Sequence, residues 1–176
     1  FVRERGNSLF DEGSEANAVT RMWSNYGLVP IEDYTGLLNG RKYHNAEKMR
    51  DEMQNYLRSL KETSAWDEDA ALATIKSIMN HYMGEPPSEI TVNGKKMTPV
   101  EYLKDVLKIN PDDYVDILSY TQEPFYKKVE YMVPDNWWHS SDYHNVPLDV
   151  FMSALKNAVR KGYTVSIGGD VSEPGF

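Results

Sequence analysis

The sequence predicts an α+β fold, mainly helical, with a helical insert, a short hairpin and few strands. Apolar residues recur at helical spacing through most of the chain. Asn93-Gly94 stands between two short runs and is a strong hairpin signal. Near the C-terminal end, Tyr163–Ile167 reads as a buried strand, followed by a glycine pair and a turn at Ser172-Glu173-Pro174-Gly175.

The elements follow in order. In "SEANAVTRMWSNYGLVP", Ala16, Val19, Met22, Trp23 and Tyr26 make a helical stripe, with Ser14 as the expected N-cap, Gly27 at the C′ position and Pro30 as a stop. A second helix is expected from Asn45 to about Lys61, its stripe made by Met49, Met53, Tyr56, Leu57 and Leu60. A third, Asp67 to about Met83, carries Leu72, Ile75, Ile78, Met79 and Tyr82 and is ended by Gly84 and Pro86-Pro87. The two pair as a helical hairpin. After the Asn93-Gly94 turn, Thr98-Pro99-Val100-Glu101 is a capping box with proline at the first helical position, starting a helix to about Leu107. Asn110-Pro111-Asp112-Asp113 opens another short helix. Phe125–Val133 is expected to be a strand, and "PDNWWHSSDYHN" an aromatic-rich loop. Leu148, Phe151, Met152, Leu155 and Val159 mark the last helix, which Gly162 ends.

Composition narrows the function. With 40% hydrophobic and 26% charged residues the chain is globular in type, and 176 residues suit one domain or one and part of another. A formal net charge of -8 without a dense basic run argues against nucleic acid. No apolar stretch approaches the roughly 20 residues of a membrane span. Phe1 reads as an internal position, so a targeting segment is not observable. Cysteine is absent from the 176 residues, which removes disulfides, thiolate metal sites and a thiol nucleophile from this chain.

Side chains suited to chemistry are few. His139, Asp142 and His144 lie close in "HSSDYH", but their spacing matches no zinc or iron pattern, and no metal or other cofactor is expected. His81 sits where a cation suits a helix end, and His44 reads as surface. Asp67, Glu68 and Asp69, like Asp112 and Asp113, belong to helix starts. Ser8, Ser14 and Ser166 have neither a nucleophile elbow nor an evident base. Gly168-Gly169 lacks phosphate-loop spacing.

Five stretches in this order, "DEGSEANAVTRMWSNYGLVP", "TVNGKKMTPVEYLKDVL", "DDYVDIL", "KKVEYMV" and "HNVPLDVFMSALKNAVRKGYTVSIGGDVSEPGF", resemble the bleomycin hydrolase and aminopeptidase C family of papain-like cysteine peptidases. The resemblance implies that residues 1–34 end the helical lobe, 35–124 form a helical insert with the hairpin near 90–97, and 125–176 lead into the β-lobe through its first strand. It implies thiolate attack on a peptide carbonyl, with histidine as base and acid. No residue here matches the triad, so the catalytic set is empty; the cysteine of the family lies upstream of the matching region and its histidine and asparagine downstream.

The resemblance does carry binding positions over. Gly13 matches the first of two cleft-lining glycines and Ser14 replaces the second. Glu15 and Ala16 fall on the wall of the adjoining side-chain pocket, and Gly168 on the opposite wall. Backbone groups at such a site pair with any extended peptide, and small residues permit close approach. The implied partners are a peptide substrate or the parent's own C-terminal tail, the flanking segments of the same protein, and further copies in a homo-oligomer. The implied location is cytoplasmic. A different class of protein, a catalytically silent peptide-binding scaffold with a papain-like cleft, fits the same residues.

Overall fold

The computed structural model describes residues 1–11 and 13–168. In chain order these form α1 (Asn17–Tyr26), α2 (Glu47–Thr63), α3 (Glu68–Met83), β1 (Ile90–Val92), β2 (Lys95–Met97), α4 (Pro99–Glu101), a π turn (Tyr102–Val106), a 3-10 turn (Pro111–Asp113), β3 (Ile117–Leu118), β4 (Lys127–Val129), β5 (Tyr143–Asn145) and α5 (Leu148–Arg160). The fold class is α+β, as expected. The chain divides into two compact units, one of Phe1–Gly13 with Leu28–Tyr102, the other of Ser14–Gly27 with Leu103–Phe176.

In the first unit α2 and α3 form the expected helical hairpin. Leu57, Leu60 and Ala71 make its core, with Phe1, Val2, Phe10, Tyr56 and Ile75 packed against them. Asp67 caps α3 by accepting from the Ala70 N–H at 3.0 Å, which satisfies a first-turn donor that has no helical partner. Arg3 grips Glu68 through two 2.7 Å contacts, but on an exposed surface. The buried face of α3 differs from the expected stripe. Ala71 and Ile78 are buried, whereas Leu72 and Met79 are exposed. Ala71 lies outside the expected stripe, yet a small side chain suits close packing of two helices.

The hairpin is as read. Ile90 pairs with Met97 and Val92 with Lys95. Asn93 and Gly94 both have positive φ, 51° and 77°, the geometry of a type I′ turn that matches strand twist. The capping box also forms: the Glu101 N–H donates to Thr98 Oγ1 at 3.2 Å and the Thr98 N–H to Glu101 Oε2 at 2.7 Å. The helical run continues beyond it as the π turn to Val106, close to the expected end at about Leu107, with Leu103 wholly buried (0%).

The second unit is organised by a three-stranded sheet in the order β3-β5-β4. β5 is central, parallel to β3 and antiparallel to β4, with His144 opposite both Ile117 and Lys128. Asn145 on β5 has 0% exposure and holds the 120–124 segment. Its Oδ1 accepts from the Tyr120 N–H at 2.8 Å, and its Nδ2 reaches the carbonyls of Tyr120, Glu123 and Pro124 at 2.9, 2.9 and 3.2 Å. Asn136 does similar work in the aromatic-rich segment, donating to the Tyr131 and Ser140 carbonyls and accepting from the Ser140 N–H. Tyr120, Tyr131 and Tyr143 continue this order through edge-to-face contacts.

Three expectations are corrected here. The strand expected over Phe125–Val133 pairs only at Lys127–Val129. Tyr126 has φ of 61°, which no strand accommodates, and the Val133 N–H turns back to the Tyr131 carbonyl. The strand expected over Tyr163–Ile167 is unpaired and exposed, with Ile167 at 72%. An apolar, β-branched run becomes a strand only where a ladder partner exists, and no described strand lies beside it. Finally, β5 falls within the stretch read as a loop, because three residues are too few for alternation to show. The turn at Ser172–Gly175 lies outside the described residues.

Candidate functional site

The chain passes from the first unit to the second between Gly13 and Ser14, at the head of the stretch expected to bind peptide. Gly13 has φ of 120°, a conformation that side chains strongly resist. Ser14 is exposed, and its hydroxyl donates to the Glu15 carbonyl at 3.3 Å. It is therefore not the helix cap that the sequence suggests. Ala16 takes that position with helical angles and no capping side chain. The first turn closes instead through the Ala18 N–H to the Glu15 carbonyl and the Val19 N–H to the Ala16 carbonyl. No backbone hydrogen bond among the described residues engages Gly13 or Ser14.

Glu15 is half-buried. Burial first, and then the nearby Asp135, hold its carboxyl above the usual carboxylate range. Ala16 is exposed. Gly168 lies in the segment after α5, and no described residue stands within 4 Å of where its Cβ would be. No hydrogen bond among the described residues joins it to Ser14–Ala16.

Sequence reasoning passed over three residues near this stretch. Asn17 is buried, and neither atom of its side-chain amide has a hydrogen-bond partner among the described residues. The buried Tyr143 hydroxyl is likewise unpartnered. Burial, followed by the charges of Glu15 and Asp116, raises its pKa far above the ordinary tyrosine value. Asp116 is also held up, by burial and by Asp142. Burial first, and then the neighbouring acids, thus disfavour the charged forms of Glu15, Asp116 and Tyr143. Asn17 and Asp116 lie in the stretches that carry the resemblance, but nothing in the sequence singles out any of the three, so only their placement reveals them.

The histidines do not converge. His139 Nδ1 lies 2.6 Å from Glu130 Oε1. Asp142 pairs with Lys128 at 3.1 Å, and the His144 backbone N–H donates to the Asp116 carbonyl. Among the described residues no three His, Asp or Glu side chains are grouped to hold a metal. No described helix is long and apolar enough to cross a membrane.

The α+β order of helices and small sheets fits part of a papain-like peptidase. Residues 10–175 match the Peptidase C1-like family, and the chain belongs to that family. Among solved structures it is similar to PepW from Lactobacillus rhamnosis HN001 (DR20), with TM-score 0.61 and 14% sequence identity over 92% of this chain. It spans 44% of that chain, less than half its length. At that identity the likeness is one of fold. A comparison with curated proteins found no match.

Proposed function

We propose that this chain is the peptide-binding middle segment of a cysteine aminopeptidase whose nucleophile and general base come from parts of the protein beyond these 176 residues. The observation that carries the binding role is that no backbone hydrogen bond among the described residues engages Gly13 or Ser14. N–H and C=O groups that no described backbone group engages suit an extended peptide of any sequence, each bond contributing roughly 0.5–1.5 kcal/mol net. Family membership over residues 10–175 supplies the reaction class. The exopeptidase preference rests on the resemblance alone: a C-terminal tail lying along Gly13-Ser14 would close one side of the cleft and offer its carboxylate to a free substrate amine.

The test uses the longer chain that includes the flanking segments, and compares kcat/KM for an aminoacyl fluorogenic substrate with that for its N-blocked counterpart. The free-amine substrate is expected to be strongly preferred, and a thiol-directed inhibitor to abolish turnover. Gly13→Val forces a β-branched residue to a φ of 120°, displacing whatever pairs there, and is expected to lower the free-to-blocked ratio. An unchanged ratio in a folded Gly13→Val variant removes Gly13 from the cleft. One observation favours a second reading, a silent peptide-binding scaffold: no cysteine occurs in the chain. Flanking sequence without a cysteine upstream and a histidine and asparagine downstream would decide for the scaffold.

A further inference from the structure

The second unit contains a cavity of about 470 Å³, a size within the range of roughly 300–1,000 Å³ typical of small-molecule sites. One wall is the α1 face bearing Thr20, Arg21 and Ser24; the others carry Asp116, Trp138 and the Lys128–Asp142 ion pair. None of the residues implied to bind peptide by the family resemblance lines it.

Its charges are arranged in an unusual way. Lys128 and Asp142 neutralise each other at 3.1 Å. The other charged side chains that line the cavity, Arg21, Asp112 and Asp116, form no ion pair with one another or with any other described residue. Asp116 is half-buried and has an acid, Asp142, as its charged neighbour, so its carboxyl sits above the usual range and would gain from a cation. The Thr20 and Ser24 hydroxyls donate back into α1, to the Asn17 and Thr20 carbonyls, which leaves their oxygens able to accept. Trp138 offers a flat apolar surface.

We propose that this cavity binds a short zwitterionic peptide, with Asp116 taking the ammonium group, Arg21 the terminal carboxylate and Trp138 the side chain. A single ion would satisfy one charge and leave the other unmet; a ligand with both termini satisfies both at once. Guanidinium suits a carboxylate because its paired N–H groups match the two oxygens. Zwitterions of this kind are what peptide hydrolysis releases, but the site does not rest on the peptidase reading, since binding is measurable in a chain with no cysteine.

The experiment is calorimetric titration of this chain with alanyl-leucine, N-acetyl-alanyl-leucine and alanyl-leucinamide. The free dipeptide is expected to bind with a Kd of about 0.1–1 mM, and capping either end to weaken binding about tenfold. Arg21→Gln is expected to weaken the dipeptide about tenfold without affecting the amide, and Asp116→Asn to weaken it similarly without affecting the acetylated form. Arg21 is exposed, so its variant should keep the native circular dichroism, and the capping series needs no variant. The proposal is overturned by no saturable heat up to about 10 mM, by equal binding of all three probes, or by native affinity in Arg21→Gln. Loss of binding in Gly13→Val with Arg21→Gln unaffected would place the peptide at Gly13-Ser14 and overturn it too.

Discussion

Asn145 shows how much one side chain can hold. Its amide serves one backbone N–H and three carbonyls that lie 21 to 25 residues away in sequence. Asn145→Ala removes all of these while leaving the backbone groups buried, so a loss of about 2–4 kcal/mol is expected in urea unfolding. Asn145→Asp keeps the acceptor but puts a charge where donors are needed, and should be no milder. A loss below about 1 kcal/mol would show that water replaces the amide readily. Glu15 gives a prediction of opposite sign. Burial and Asp135 raise its pKa in the folded chain, so ionisation opposes folding. Below the ordinary carboxylate range Glu15 is protonated both folded and unfolded, and its effect vanishes; above the folded pKa the penalty is complete. Glu15→Gln should therefore stabilise the chain at neutral pH, with the gain disappearing in acid. Equal unfolding midpoints at neutral pH would show that water reaches this carboxylate freely.

At the scale of elements, turns and caps follow local rules and can be tested one at a time. Gly94 adopts φ of 77° with open space around it, so Gly94→Ala meets only backbone strain and should cost about 1 kcal/mol. Asp67→Ala removes the cap of α3 and should cost a similar amount, about 1 kcal/mol. Thermal unfolding of each variant checks both. These elements were legible because the cause lies within four residues: Asn93-Gly94, Thr98 with Glu101, and Asp67 before Ala70. β5 was not. Tyr143–Asn145 is a strand because β3 and β4 lie on either side, and nothing inside "YHN" announces that. Ser14 was also misjudged as a cap, since its hydroxyl prefers the adjacent Glu15 carbonyl.

On the scale of the whole molecule, much apolar surface remains open in the second unit. α5 buries no residue, although Leu148, Met152 and Val159 lie along it. Tyr163, Val165 and Ile167 are exposed on an unpaired segment. Open backbone edges beside apolar side chains promote association. The chain is expected to self-associate with rising concentration, and Tyr163→Lys with Ile167→Lys to suppress this, as read by sedimentation. A monomer at all concentrations would show that the segment is covered within the chain.

The sequence by itself determined the fold class, the helical hairpin, the β-hairpin at Asn93-Gly94, the capping box and the family. Each of these depends on residues near one another along the chain, or on long ordered motifs. Only the tertiary structure decided that α3 buries Ala71 rather than Leu72, that Tyr163–Ile167 goes unpaired, and that Arg21 and Asp116 share a cavity. Those outcomes depend on which surfaces meet after the chain has turned back on itself. A helical stripe or a β-branched run states only what a segment can bury; its partner settles what it does bury.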